Sequence, residues 1–312
     1  MLKKKSILVL TTLIPAHLSK LEELYAVTYA PNDAARKAAI ASRGREFEAV
    51  LTIGVIGLTA LEMASMPRLE LVCCMGAGYE QIDVAAAKLL GIEVATGQGT
   101  NDACVADHAF GLVIAAMRGF RQLDRLCRNG VWRTDIPHPP NVSGKSIGIL
   151  GLGTIGQKIA NRATGFDMLI GYHNRNPKPQ THFQYFGSVV ELAEWSDVLV
   201  CATPGGTATR HLISEKVLSA LGPTGFLVNI ARGSVVDTNA LAAALRDGVI
   251  AGAGIDVYES EPLPPQVLMD LDNVIVTPHM AGWSPEATQA SFDRFLENVE
   301  GYFSGNGAVS PL

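Results

Sequence analysis

The sequence predicts an α/β protein with two parallel β-sheets, and three observations support this. Strand-like and helix-like segments alternate through the first hundred residues, as they do in a parallel sheet with helical connections. A glycine-rich turn at residues 151–156 joins an apolar strand to a helix, and the same alternation continues beyond it. The chain of 312 residues is long enough for two domains. The expected architecture is therefore two Rossmann-like domains, one flavodoxin-like and one dinucleotide-binding, with a cleft between them.

The first domain is expected to be a small parallel sheet. Its strands are predicted at residues 7–10, 25–29, 49–53, 69–74 and 92–95, and its helices at residues 17–23, 33–43, 60–65 and 84–90. A glycine-bearing turn at residues 75–83 follows the fourth strand. Such a turn can present backbone N–H groups to a small carboxylate, although a plain tight turn is an equal alternative.

The rest of the chain continues the same alternation of strands and helices. An amphipathic pattern over residues 102–129 predicts one long helix, which Gly130 can end, and the proline-rich residues 136–140 indicate a domain crossover. Further strands are predicted at residues 146–150, 168–172, 185–186, 198–202, 225–229, 253–256 and 274–276, and helices at residues 189–194, 214–220, 238–247 and 285–303. We expect the last helix to return to the first domain, which then comprises residues 1–100 and 285–312. The second domain comprises residues 101–284.

Composition excludes several classes of protein. Apolar residues make up 48% and charged residues 18%, as in an ordinary globular chain. The net charge of −5 gives no basic field for nucleic acid or an anionic membrane. Five cysteines without a C-x-x-C pair fit buried thiols in a reducing compartment better than disulfides or a zinc site. No stretch is long enough to span a bilayer, and the short apolar run after Lys5 fits a first strand better than a signal peptide. We therefore expect a cytoplasmic protein without a metal site.

The glycine-rich turn has the pattern G-x-G-x-x-G. Gly151 permits the tight turn, Gly153 lets the backbone approach a pyrophosphate, and Gly156 lets the helix pack against the strand. The first helical residues, Thr154 and Ile155, belong to a helix N-terminus whose free N–H groups suit an anion. Because the motif lies between a strand and a helix, we predict a dinucleotide site; a turn that binds nothing is the alternative.

The end of the next strand selects the dinucleotide. An NAD site usually places Asp or Glu here, on the ribose 2′-hydroxyl. No acidic residue lies between Asp167 and Glu191. The segment instead offers amides and cations, at Asn174, Arg175, Asn176 and Lys178. A guanidinium can bind a 2′-phosphate with two parallel hydrogen bonds, so we predict NADP(H). An ordinary basic loop is the alternative.

Three polar residues are expected where strands of the second domain end, namely Arg232, Glu261 and His279. These residue types suit ketone reduction, because a cation polarises the carbonyl oxygen and an imidazolium donates a proton to it. A neighbouring carboxylate keeps the imidazole protonated. Taken singly, the three residues also fit a surface ion pair, a solvated acidic loop and a core histidine.

Three motifs containing these residues resemble the D-isomer-specific 2-hydroxyacid dehydrogenases. They are Asn-Ile-Ala-Arg-Gly at 229–233, Gly-Ile-Asp-Val-Tyr-Glu-Ser-Glu-Pro at 254–262 and Thr-Pro-His at 277–279. The resemblance covers nearly the whole chain. Tyr-His-Asn-Arg-Asn at 172–176 and the segment 185–193 are most similar to the NADPH-dependent glyoxylate, hydroxypyruvate and hydroxyphenylpyruvate reductases of that family.

The resemblance implies a role for each matched residue. Arg232 would bind the 2-oxo acid, His279 would be the acid/base and Glu261 its partner carboxylate, while Ala77 and Gly78 would offer backbone N–H groups to the substrate carboxylate. Asp256 and the backbone around Ile230 would hold the nicotinamide carboxamide. Thr203 is a further expected cofactor contact.

The resemblance also implies an overall function: NADPH-dependent reduction of a small 2-oxo acid to the D-2-hydroxy acid. Alternatives are a non-catalytic regulator that senses NADP(H), or a dehydrogenase of the same fold acting on 2-ketogluconate, hydroxyphenylpyruvate or phosphite. The family implies a homodimer formed through the NADP-binding domain, with Trp132 directed toward the partner's active site.

Two segments depart from the family pattern. Residues 203–206 read Thr-Pro-Gly-Gly where relatives commonly have Pro-Leu-Thr, so the cover over the adenosine side is expected to differ. Trp283 follows the expected catalytic histidine closely, where smaller residues are common. It either narrows the substrate pocket or packs at the domain junction.

Overall fold

Two parallel β-sheets organise the chain and confirm the predicted fold class. The computed structural model describes residues 4–312. The chain forms two units by its internal contacts: the first runs to Asn101 and includes Trp283–Leu312, and the second is Asp102–Gly282.

The first unit contains a five-stranded sheet with the strand order β2-β1-β3-β4-β5. Its strands are β1 (Ser6–Val9), β2 (Ala26–Tyr29), β3 (Ala49–Ile53), β4 (Leu71–Met75) and β5 (Glu93–Thr96), and its helices are α1 (Pro15–Leu24), α2 (Asp33–Arg43), α3 (Ala60–Ala64), α4 (Val84–Leu89) and α12 (Pro285–Phe303). Successive strand residues point to opposite faces. Ile7 and Val9 pack in one core with Phe292 of α12, whereas Leu8 packs in the other with Met63 of α3. Both faces are covered, which explains the continuous apolar runs of these strands.

The second unit contains a seven-stranded sheet with the order β12-β11-β10-β9-β6-β7-β8. Its strands are β6 (Ser146–Leu150), β7 (Leu169–His173), β8 (Gln184–Tyr185), β9 (Val198–Cys201), β10 (Phe226–Asn229), β11 (Gly252–Ile255) and β12 (Val274–Val276). Its helices are α5 (Asp102–Met117), α6 (Phe120–Arg128), α7 (Thr154–Thr164), α8 (Val189–Trp195), α9 (Glu215–Leu221), α10 (Thr238–Arg246) and α11 (Gln266–Met269). The chain builds outward from β6 through β7 to β8, then crosses to β9 on the other side of β6. The order therefore reverses between β6 and β9, and ligands of such sheets bind at the carboxyl ends beside that point.

The single helix predicted over residues 102–129 is wrong. The chain forms α5 and α6, which are bent by 56° at their junction. Gly119 stands at this junction with φ of 64°, a left-handed conformation that interrupts helical hydrogen bonding. Within residues 4–312 no single helix is long and apolar enough to cross a membrane, and only the bent pair α5 and α6, counted together, meets that test by length and composition.

The turn between β6 and α7 depends on close backbone packing. Gly151 has φ of 99°, and a Cβ there would lie 2.8 Å from the carbonyl carbon of Ala202, at the end of β9. A Cβ on the buried Gly156 would overlap the carbonyl oxygen of Gly151. By contrast, a Cβ on Gly153 would meet nothing within 4 Å. The first and third glycines are thus required by the fold, whereas the second is not.

We expect Gly156→Ala to lower the free energy of unfolding by about 1–3 kcal/mol, the range typical of overpacking. Gly153→Ala is the matched control and is expected to change it by less than about 0.5 kcal/mol. Chemical denaturation of both variants without added nucleotide measures the difference. Equal stabilities of the two variants would contradict this account of the turn.

Candidate active site

The glycine-rich turn leaves the start of α7 open toward the carboxyl edge of the second sheet. Gly153 is the N-cap residue of α7, and no side chain caps this end of the helix. The first N–H groups of a helix have no partner within the helix, so this N-terminus suits an anion such as a pyrophosphate. Thr154 and Ile155 occupy the first helical turn, as predicted from the sequence.

The basic segment after β7 is tied to the glycine-rich turn. The Asn174 side-chain oxygen accepts a hydrogen bond from the N–H of Leu152, with a distance of 2.7 Å. The Tyr172 hydroxyl accepts another from the N–H of Lys178 at 2.8 Å. Arg175 and Asn176 lie between these two anchors and are exposed. Asn174 therefore stabilises the glycine-rich turn, a role that the sequence did not reveal. Its predicted role is to contact the cofactor.

Arg232 lies in the turn after β10, and Gly205 leaves room for its side chain. Its Nη1 donates to the carbonyl oxygen of Ala231 at 2.6 Å, and the Asn229 side-chain amide donates to the Arg232 carbonyl oxygen at 3.1 Å. A Cβ on Gly205 would lie 2.8 Å from Cγ of Arg232. Gly205 thus leaves room for the Arg232 side chain. Thr203 and Ile230 follow β9 and β10 at the same edge of the sheet.

Glu261 and His279 form a hydrogen-bonded pair. His279 Nδ1 lies 2.8 Å from Oε2 of Glu261, and Oε1 of Glu261 accepts the N–H of Tyr258 at 2.9 Å. Burial opposes ionisation of Glu261, but the hydrogen bonds from His279 and Tyr258 outweigh it and lower the pKa of the carboxyl group. An ionised carboxylate only accepts hydrogen bonds, so Nδ1 of His279 carries a proton and Nε2 is the nitrogen left for a substrate.

The surroundings of His279 favour its charged form. The hydrogen bond to Glu261 is the largest influence and raises the pKa of the imidazole, although burial opposes the shift. The negative charges of Glu261 and Asp256 raise this pKa further, and the positive charge of Arg232 lowers it. The second unit therefore contains all three residues predicted as catalytic, and the charges of Glu261 and Arg232 both act on His279.

Asp256 is fully buried at the end of β11 and is surrounded by donors. Its Oδ1 accepts the N–H of Met280 at 2.8 Å and the hydroxyl of Thr277 at 2.5 Å, and its Oδ2 accepts the N–H of Ala281 at 2.9 Å. Nε2 of His108 lies 3.3 Å from Oδ1. Sequence reasoning missed His108, because it lies in an apolar helix about 150 residues from its partners and carries no local motif.

Ala77 and Gly78 lie in the first unit, in the turn after β4. The Gly78 carbonyl oxygen accepts a hydrogen bond from Sγ of Cys74 at 2.7 Å, and the Gly76 carbonyl oxygen accepts the N–H of Gly97 at 2.7 Å. Within residues 4–312 the backbone N–H groups of Ala77 and Gly78 donate to no other backbone group. These two N–H groups therefore take no part in the backbone hydrogen bonding of the turn.

Comparison with known proteins identifies the family. Residues 110–281 match the model of the D-isomer specific 2-hydroxyacid dehydrogenase, NAD binding domain. The chain is 38% identical to hydroxyphenylpyruvate reductase of Plectranthus scutellarioides over 274 residues, 88% of each chain. It is 39% identical to a glyoxylate/hydroxypyruvate reductase of Arabidopsis thaliana over 257 residues, 82% of each chain.

A solved structure extends this likeness to three dimensions. The NADPH-dependent glyoxylate/hydroxypyruvate reductase of Sinorhizobium meliloti, in complex with NADP and malonate, is similar with a TM-score of 0.90 and 35% identity. The match covers 99% of this chain and 97% of that chain. The chain belongs to the D-isomer specific 2-hydroxyacid dehydrogenases and is an oxidoreductase of that family, which confirms the resemblance found in its motifs.

Replacing Glu261 should change the titration of His279. We expect Glu261→Gln to lower the pKa of His279, because a neutral amide stabilises the imidazolium less than a carboxylate. A raised folded-state pKa stabilises the fold at low pH, and this contribution is lost as pH rises through that pKa, so in the variant the loss moves to lower pH.

An NMR titration of ¹³C-labelled histidine measures this pKa. Glu259→Gln is the matched control, since Glu259 contacts His211 at 2.8 Å instead. An unchanged His279 titration in Glu261→Gln would show that the pair does not control the imidazole.

Proposed function

We propose that this protein reduces a small 2-oxo acid, of the glyoxylate or hydroxypyruvate type, to the D-2-hydroxy acid with NADPH. The observation that carries the proposal is the contact of 2.8 Å between Glu261 and His279, together with the charge of Arg232 acting on the same imidazole. The activities named for the relatives from Plectranthus scutellarioides and Arabidopsis thaliana support the same reaction class.

The residues present fit NADP(H). The uncapped N-terminus of α7 suits the pyrophosphate, and the open space at Gly153 lets it approach the backbone. Arg175, with Asn174, Asn176 and Lys178, would hold the 2′-phosphate, since no carboxylate in this segment would repel it. Thr203, Ile230 and Asp256 follow neighbouring strands and would contact the rest of the cofactor. The NADP complex of the relative from Sinorhizobium meliloti supports this choice.

The chemistry divides between the cofactor and the side chains. NADPH, when bound, supplies the hydride. Arg232 would bind the 2-oxo acid and polarise its carbonyl oxygen, and Nε2 of His279 would give a proton to that oxygen. Glu261 would hold the imidazole in orientation and keep it charged until the proton is transferred.

The two units would bind different ligands. We assign substrate binding to the first, where Ala77 and Gly78 would donate backbone N–H groups to the substrate carboxylate. We assign NADP binding to the second, corresponding to the predicted domains of residues 1–100 with 285–312 and residues 101–284. Trp283 would either narrow the substrate pocket or pack at the domain junction.

We further propose a cytoplasmic homodimer formed through the NADP-binding domain. The exposure of large apolar side chains supports the dimer: Phe120 is 53% exposed and Trp132 is 67% exposed in the second unit. The free thiols of all five cysteines fit a reducing compartment.

Initial rates of NADPH and NADH oxidation test the proposal. The substrates to compare are glyoxylate, hydroxypyruvate, hydroxyphenylpyruvate and 2-ketogluconate. Fast turnover of one small 2-oxo acid with NADPH would support it. Tight NADPH binding without turnover of any acid would overturn it in favour of a sensing protein.

Arg175→Ala should reduce the preference for NADPH. We expect KM for NADPH to rise about 10-fold or more, because the 2′-phosphate loses a charge-assisted bidentate contact, while KM for NADH stays nearly unchanged. Arg246→Ala, at the exposed end of α10, is the matched control for loss of an arginine. If KM for both dinucleotides rose equally, Arg175 would not be reading the 2′-phosphate.

His279→Gln should slow the reduction itself. We expect kcat to fall about 100-fold or more, the usual scale for loss of a general acid. His182→Gln, at an exposed histidine, controls for the substitution. In the wild-type enzyme the rate should decline as pH rises through the pKa of His279, since only the protonated imidazole donates. A variant that kept the wild-type rate would remove His279 from the mechanism.

A further inference from the structure

A chain of hydrogen bonds leads from α5 to the turn that carries His279. Nε2 of His108 lies 3.1 Å from Oγ1 of Thr277, and the Thr277 hydroxyl donates to Oδ1 of Asp256 at 2.5 Å. The carboxylate of Asp256 then accepts the N–H groups of Met280 and Ala281, at 2.8 and 2.9 Å. These two residues follow His279 directly, so the chain ends on the backbone of the turn.

The direction of each hydrogen bond follows from the chemistry of its groups. Burial opposes ionisation of Asp256, but the hydrogen bonds from His108, Thr277 and the backbone outweigh it and lower its pKa, so the carboxylate accepts only. Thr277 has one hydroxyl proton, which it donates to Asp256. Oγ1 of Thr277 can therefore only accept from His108, and Nε2 of His108 must carry a proton.

The turn needs such support because its backbone conformation is unfavourable. His279 has φ of 54°, in the left-handed region that non-glycine residues rarely occupy. Holding a residue there costs free energy, which the surrounding structure must supply. The N–H of His279 donates to the backbone carbonyl oxygen of Asp256 at 2.9 Å, so Asp256 holds the turn through its backbone as well as its carboxylate.

We propose that His108 is a positioning residue for the reaction of His279: through Asp256, which it reaches directly at 3.3 Å and also by way of Thr277, it fixes the turn that aims the imidazole. This inference rests on the proposed function for its kinetic consequence. His108 touches neither His279 nor Glu261 in any hydrogen bond found within residues 4–312, so its influence passes through Asp256. The charged groups that face His279 itself are Glu261, Asp256 and Arg232.

A double-mutant cycle tests the chain. His108→Ala and Thr277→Val each remove a donor that supports Asp256, and each should lower kcat about 10-fold while KM for the 2-oxo acid stays within about two-fold, because a misaimed acid slows the chemical step and not binding. The double variant should lose less activity than the product of the two single effects, since both side chains act through Asp256. Effects that multiplied in the double variant would overturn the proposal, as would single variants with the wild-type kcat.

Conservative variants separate hydrogen bonding from packing. His108→Gln keeps an N–H donor and Thr277→Ser keeps the hydroxyl, so both should retain kcat within about three-fold of the wild type. If they were as slow as His108→Ala and Thr277→Val, the donor role would be refuted. Should His108→Ala fail to fold, as thermal unfolding would show, the comparison of Thr277→Ser with Thr277→Val decides the matter alone.

An NMR measurement keeps this inference separate from the proposed activity. The seven histidines are labelled with ¹³C, and the His279 resonance is identified by its absence in His279→Gln. In His108→Ala the pKa of His279 should fall, because a looser turn weakens the contact with Glu261, whereas His182→Gln should leave it in place. A wild-type protein without reductase activity would refute the proposed function only. An unchanged His279 pKa in His108→Ala would refute the positioning role.

Discussion

The buried carboxylate of Asp256 is the constraint on which the catalytic edge of the second sheet depends. A charge with no exposure to water is tolerated only where hydrogen-bond donors surround it. Thr277, Met280 and Ala281 supply those donors from the segment after β12, and His108 lies beside them on α5. The hydrogen bonds that satisfy Asp256 therefore fix the end of β11, α5 and the turn after β12 relative to each other. His279 lies on that turn.

Asp256 and Glu261 act on His279 in different ways. Glu261 contacts the imidazole ring and sets which nitrogen carries the proton. Asp256 contacts the backbone on the far side of the turn and reaches the ring only through its field. Their two negative charges raise the pKa of His279, and the cation of Arg232 moderates it. The net effect of these groups favours the charged imidazole, which is the form that the proposed general acid needs.

The sequence predicted features that depend on residues close together in the chain and missed those that depend on contacts between distant segments. Local apolar periodicity predicted the positions of strands and helices. The glycine motif at residues 151, 153 and 156 predicted the turn between β6 and α7, because its parts are adjacent in the chain. The bend at Gly119 was missed because an amphipathic pattern runs through it, and periodicity does not report a left-handed residue. The contacts of His108 with Thr277, and the space that Gly205 leaves for Arg232, join distant segments and have no local pattern.

The glycine-rich turn and the basic segment after β7 are held in place by different contacts. The fold requires a glycine at 156, close to Gly151, but not at 153, where a Cβ would meet nothing within 4 Å. Asn174 connects the two functions, because its side chain holds the N–H of Leu152 inside the turn while its neighbour Arg175 stays exposed. With the Tyr172 hydroxyl holding Lys178, the basic segment is fixed at both ends before any nucleotide arrives. Less conformational entropy would then be lost in the proposed contact of Arg175 with a 2′-phosphate, which would favour that contact.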